Sequence, residues 1–182
     1  TSGQKISKSS GKIIDPFELV EKYGTDAVRY YLARHIHPFE DSDFTEEKFR
    51  EAYNAHLANG LGNLVARVMK LAETNLKEPI SPPASAPFAK EYTDVIEAFE
   101  FNKAMDFVWE KIQALDRRIA EEKPFVVVRD DIEKGKTLIA ELLIELYWIG
   151  RMLYPFMPTA SVAIKEAVKL NKMPKSLFPR LD

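Results

Sequence analysis

Apolar positions recur along this chain with helical spacing. The cleanest run is Phe101, Met105, Val108, Ile112, Leu115 and Ile119. Steps of three or four line one face of a helix, and Pro124 ends it. A longer helix is predicted from Thr45 to Asn75, with Leu57, Leu61, Leu64, Val65, Val68 and Leu71 on its inner stripe. Phe44 and Phe49 are placed to staple its start. Residues 131–154 are apolar almost all round, with Lys134, Glu141 and Glu145 on one narrow stripe. That is the pattern of a helix central in a bundle. Residues 89–98 and, after Pro155 and Pro158, 159–169 read as shorter helices. The expected core comprises Leu57, Leu64, Val68, Met105, Val108, Ile112, Leu142 and Leu146, with Trp109 and Trp148 inside it.

The start of the chain is organised differently. Residues 5–12 are small, polar and basic, and Ile13-Ile14 reads as a short strand. Asp15-Pro16-Phe17-Glu18 then forms a helix start: Asp15 as N-cap, Pro16 at the first helical position, Glu18 completing a capping box. Ile14 and Leu19 fit the staple around it. Gly24 ends this helix. Thr25 is predicted to cap a second one through about Ala33, burying Val28, Tyr31 and Leu32. Residues 35–43 form a turn-rich connection. The four prolines within residues 79–87 make an extended linker. With no strand alternation beyond residue 15, the fold class is all-α: a helical bundle over residues 45–182 behind a small segment, residues 1–44.

Composition narrows the chemistry. The 182 residues are 46% hydrophobic with net charge −2, which excludes intrinsic disorder. With no Cys there is no disulfide framework, zinc ribbon or thiol nucleophile. No apolar run reaches membrane-span length, and no export signal is visible, so the cytoplasm is the expected compartment and no membrane partner is expected. The first residues, Thr-Ser-Gly-Gln-Lys, carry no initiator Met and suggest an internal fragment. Residues 1–12 and 160–182 each carry net +3, leaving −8 between them. Bulk charge would therefore hold nucleic acid poorly, and a nucleic-acid partner must be read by a few placed residues.

Lys5-Ile6-Ser7-Lys8-Ser9 sets two ammonium groups three residues apart among small residues. Such a loop can reach a polyphosphate, with serines and backbone N–H groups as further donors; taken alone, the five residues read sooner as a disordered basic tail. The residues around it favour the first reading. The loop is followed by Gly11, Ile14-Asp15-Pro16, Tyr23-Gly24-Thr25-Asp26-Ala27, Arg29-Tyr30-Tyr31, Asp41-Ser42-Asp43-Phe44, Asn54, Leu57-Ala58-Asn59, Leu61-Gly62-Asn63-Leu64 and Arg67. This series resembles the class I aminoacyl-tRNA synthetases, whose signature loop is written Lys-Met-Ser-Lys-Ser; Ile6 replaces the Met. The Asn63 and Arg67 helix makes the methionyl enzymes the most similar branch.

That resemblance implies the family's stem-contact segment and anticodon-binding bundle. The nucleotide-binding Rossmann catalytic domain would lie upstream of residue 1. Lys5 and Lys8, with Ser7 and Ser9, would close over ATP, a co-substrate carried with Mg, during methionyl-adenylate formation. No cofactor is expected on the chain by itself, and alone it should be inactive. The partner implied is a methionine tRNA with anticodon CAU. Asn63 and Arg67, i and i+4 on one helix face with Asn59 and Lys70, match the family's anticodon-contacting residues. The family's stacking Trp after Pro corresponds to Phe125 here, expected in a loop after Pro124, with a smaller ring and no indole N–H.

Two alternatives remain beside this reading. One is another class I synthetase, for leucine, isoleucine or valine; the other is a non-catalytic tRNA-binding or scaffold module. His35 and His37 have the spacing of a metal pair, but two ligands without a third make a weak site, so no metal is expected. His56 reads as structural. Glu97, Glu100, Asp106 and Glu110 read as a solvated face.

Overall fold

The computed structural model describes residues 15–36, 44–83 and 86–182. Among them every regular element is helical. Helices α1 (Pro16–Tyr23) and α2 (Thr25–His35) form a hairpin. A continuous helical rod follows: α3 (Glu46–Ala52), a π-helical stretch (Tyr53–Gly62) and α4 (Asn63–Asn75). Then come α5 (Lys90–Glu97), α6 (Phe101–Glu122), α7 (Pro124–Asp130), α8 (Ile132–Leu153) and α9 (Pro158–Leu170). The predicted strand at Ile13-Ile14 lies outside the described residues.

Local chemistry explains the boundaries. Asp15 accepts from the Phe17 N–H at 2.8 Å and Pro16 occupies the first position of α1. Gly24 closes α1 at φ 84°, a conformation that favours glycine. Gly24 itself, and not Thr25, is the N-cap of α2, whose start has no side-chain cap. Thr45 accepts from Lys48 N–H at 3.2 Å, and the Phe44 and Phe49 rings stand 6.0 Å apart, the predicted staple. Asp131 caps α8 by accepting from Lys134 N–H at 3.0 Å.

Within the rod, buried residues recur every fourth position: Phe49, Tyr53, Leu57, Leu61. On an α-helix this spacing would drift about 40° per step around the axis. The wider π turn keeps these side chains on one face. The periodic helices α6 and α8 bury their predicted faces, and Met105, Val108, Leu142 and Leu146 are fully enclosed. Helix α8 is central, packing against α4, α6, α7 and α9. The α1–α2 hairpin belongs to the same core: α2 packs on α6 through Tyr30, 4.7 Å from the Trp109 ring, and on α3 through Tyr31, 5.2 Å from the Phe49 ring.

Three core assignments change. Leu32 is 48% exposed, because the inward face of α2 runs through Ala27, Tyr30, Tyr31 and Arg34, leaving Leu32 outside. Phe101 opens α6 at the surface, edge-on to Phe156. Trp148 is half-buried: the Arg151 guanidinium lies 4.3 Å over its ring and Phe88 meets it edge-on. Arg151 also donates to the Ala86 carbonyl at 2.9 Å and so fastens the end of the proline-rich linker to α8.

The α8–α9 turn is clamped from α2. Arg29 donates to the carbonyls of Phe156 and Pro155, both at 2.7 Å. The buried Asp26 carboxylate accepts from the Ala160 N–H at 2.6 Å and caps α9 from a distance. Beyond α9, Asn54 exchanges two hydrogen bonds with the Leu181 backbone, at 3.0 and 2.9 Å. The tail thus returns to the π-helical stretch, with Phe178 edge-on to Tyr53.

Candidate nucleic-acid interface

Asn63 is the first residue of α4, where the rod returns from π to α geometry. Its N–H reaches back to the Ala58 and Gly60 carbonyls. Such register changes often accompany functional sites, because they re-aim the side chains that follow. Asn59, Asn63 and Lys70 are exposed and Arg67 is half-exposed. Asn63 and Arg67 share one face of α4, as their spacing requires. Arg67 Nη1 donates to Asp116 Oδ1 on α6, an ion pair that the sequence pattern did not announce.

The polypeptide does not enter a loop at Pro124. Lys123 takes the left-handed conformation, φ 48°, and Pro124, buried at the first position, opens the short helix α7. Proline is suited to that position, where its missing N–H has no helical partner. Phe125 follows, with 47% of its surface exposed. It therefore stands on a helix packed against both α8 and α4. Arg129 donates to the Phe125 carbonyl at 2.9 Å and ties the helix's last turn to its first.

Gly135 in α8 makes this seat possible. A Cβ there would fall 2.2 Å from Val128 Cα on α7, far inside van der Waals contact. Only glycine lets the two helices approach so closely. Asn63 and Arg67 are thus on α4, Arg67 is tied to α6, and Phe125 is on the helix that begins two residues after α6 ends. No hydrogen bond or ring contact joins Phe125 to Asn63 or Arg67 among the described residues. An amide, a guanidinium and an open aromatic face can between them accept and donate to base edges and stack on a base.

Nearby charges are largely paired. Arg118 donates to Glu122 at 2.9 Å and also to Glu141 and Glu145 across α8. Its hydrogen bond to Glu122, followed by that to Glu141, raises its pKa. Lys123 and Arg129, beside Phe125, are exposed cations.

The histidines have a different role. Tyr30 is fully buried, and its hydroxyl is 3.0 Å from His35 Nε2 and 2.6 Å from His56 Nδ1, and accepts from Arg34 at 3.2 Å. Burial pushes the Tyr30 pKa up to about 12. Burial, then the Arg34 and His35 charges, lowers His56 to about 4. Arg34 donates to Asp106 at 2.9 Å and lies over the Trp109 ring. Asp106 is thus a partner of α2 rather than part of a purely solvated face. His37 lies outside the described residues, and among those described no three His, Asp or Glu side chains are grouped to hold a metal ion. No described helix is long and apolar enough to cross a membrane. Lys5, Ser7, Lys8 and Ser9 also lie outside the described residues.

The family description matching this chain, over residues 1–69, is that of the class I tRNA synthetases (M). Its relatives are more particular. The chain is 31% identical over 93% of its length to the methionine–tRNA ligase of Clostridium acetobutylicum, covering 28% of that protein. It is 31% identical over 95% to that of Thermotoga maritima, covering 30%. With the ligase of Caldanaerobacter subterraneus it shares 28% over 99%, covering 34%. The fold matches the Mycobacterium tuberculosis methionyl-tRNA synthetase in complex with methionyl-adenylate, with a TM-score of 0.79 at 23% identity, over 98% of this chain and 42% of that one. The chain is therefore similar, over nearly its whole length, to a segment of the methionine–tRNA ligases. It spans about a third, or less, of the length of the curated relatives it matches.

Proposed function

We propose that this chain is the tRNA-reading part of a methionine–tRNA ligase, which joins methionine to its tRNA at the expense of ATP. The observation that carries the reading is the open ring of Phe125 on a helix packed against α4, the helix that presents Asn63 and Arg67. In this reading residues 45–182 bind the anticodon CAU of a methionine tRNA. Its bases are splayed out, one stacking on Phe125 and others meeting the Asn63 amide and the Arg67 guanidinium. The acidic middle of the chain discourages loose phosphate binding, so discrimination comes from these contacts.

Residues 1–44 then form the stem-contact segment with the ATP-closing loop. In the complete enzyme an upstream Rossmann domain holds ATP, carried with Mg, and methionine, and the chain works in the cytoplasm. Lys8, supported by Lys5, Ser7 and Ser9, meets the phosphates. A cation there favours the transition state, because negative charge builds as pyrophosphate leaves. The 182 residues by themselves should form no adenylate.

The test is a titration of the 182-residue chain, at fixed salt, with anticodon stem-loops. Phe125→Ala should cost about 1–3 kcal/mol of binding, the worth of one stacked base. Phe125→Trp should hold or improve affinity by offering a larger face. Arg67→Ala should cost about 1–3 kcal/mol and fall on the CAU loop alone. Undiminished binding in both alanine variants would move the reading site off this face.

A further inference from the structure

We infer that Asp116 is a positioning residue for anticodon discrimination: its carboxylate holds the Arg67 guanidinium against α6 so that only the free edge of the fork reaches a base. The inference deepens the reading of Arg67 proposed above and rests on it. Arg67 Nη1 donates to Asp116 Oδ1 across the α4–α6 gap, and both side chains remain about half-exposed. The pair therefore contributes little to stability. What it supplies is geometry. A guanidinium has five N–H donors in a planar fork, and one side of this fork is committed to Asp116. The other N–H groups have no protein acceptor among the described residues.

Without Asp116 the same side chain would be a mobile cation on a long stem, and a mobile cation binds any phosphate. With it, part of the charge is neutralised and the fork is fixed relative to the rigid rod. Asp116 lies six residues before the end of α6, about 9 Å along its axis. It thus fixes Arg67 within about 9 Å, measured along α6, of the helix end that leads into α7 and Phe125. Arg67 and Asp116 touch through side chains 49 positions apart in sequence, so no local pattern reveals the pair.

The experiment titrates the 182-residue chain and its Asp116→Ala, Asp116→Asn and Arg67→Ala variants with a CAU stem-loop and single-base variants of it, over a series of salt concentrations. Asp116→Ala should cut the preference for CAU about tenfold, leave the off-sequence loops bound as well or more tightly, and steepen the dependence of log affinity on log salt by about one phosphate contact. A merely structural role would weaken all loops together and leave the salt slope unchanged. Asp116→Asn, which keeps an oxygen acceptor without the charge, should recover part of the preference. If Asp116→Ala keeps the wild-type preference while Arg67→Ala abolishes it, Arg67 reads the anticodon without help and the inference is overturned. If Arg67→Ala also keeps the preference, the role of Arg67 falls and the inference with it. A wild-type chain with no preference overturns the anticodon reading as a whole.

Discussion

Replacing Gly135 with alanine tests the seat of α7 and what that seat is for. The added Cβ would lie 2.2 Å from Val128 Cα, 2.5 Å from its Cβ and 2.6 Å from its backbone nitrogen. Carbon atoms rest about 3.5–4.0 Å apart, so α7 must withdraw by about 1.5 Å. Backbone cannot rotate aside as a side-chain tip can. Overpacking of this kind costs about 1–3 kcal/mol, and alanine returns up to about 1 kcal/mol in helix propensity. The net loss is about 1–2 kcal/mol, a fall in Tm of about 2–8 °C for a chain of this size. Gly150→Ala is the control: its Cβ would meet Ile164 Cγ2 at 3.0 Å, a side-chain contact at a longer distance, and the loss should be smaller. Phe125 sits three residues from Val128 on the same short helix, so withdrawal displaces the ring. Affinity for the CAU stem-loop should then drop about tenfold, within the scale of one stacked base. Thermal melting by circular dichroism and the stem-loop titration read the two effects separately. A Gly135→Ala chain with unchanged Tm and unchanged affinity would refute the close α7–α8 contact and its role in aiming Phe125.

Other perturbations probe other parts. Leu64→Ala, at a fully buried position on α4, should cost about 2–5 kcal/mol in urea unfolding; an unchanged midpoint would place the wrong face inward. His56 is neutral in the fold down to about pH 4, whereas the unfolded side chain titrates near 6.5. As pH falls through that window the unfolded chain binds a proton that the folded chain refuses, so stability drops, by about 1–2 kcal/mol after allowing for solvent access. His35, also lowered first by burial, acts in the same direction. His56→Gln should lose less stability than wild type between pH 7.5 and 5, and an identical loss would remove His56 as the source. In the complete enzyme, Lys8→Ala should slow ATP–pyrophosphate exchange far more than it weakens methionine binding; equal effects on both would deny it a role specific to the transition state.

The long periodic helices were legible because burial on one face enforces a period. The α6 run from Met105 to Ile119, the all-round apolar α8 and the extent of the 45–75 rod follow from that alone. The π-helical stretch was hidden, since apolar residues every fourth position also fit an α-helix within a few turns. Helix α7 was missed because proline can end one helix or begin another. The deciding residue, Lys123 in a left-handed conformation, carries no glycine to mark it. Gly135 did leave a trace: a glycine inside a helical pattern costs about 1 kcal/mol and asks for a packing reason. At the candidate site, the shared face of Asn63 and Arg67 was fixed by their spacing. The pairing of Arg67 with Asp116 depends on how α4 and α6 meet, which no local pattern encodes. The same holds for the Tyr30–His35–His56 cluster, drawn together from α2 and the π-helical stretch.

The central claim is that this bundle reads an anticodon through placed contacts rather than charge. The most direct measurement is the ratio of dissociation constants of the wild-type 182-residue chain for two stem-loops, one bearing CAU and one differing only in the first anticodon base, at physiological salt. A good base contact is worth about 1–3 kcal/mol, so the account predicts CAU bound at least about fivefold more tightly. Equal affinity for the two loops would contradict it.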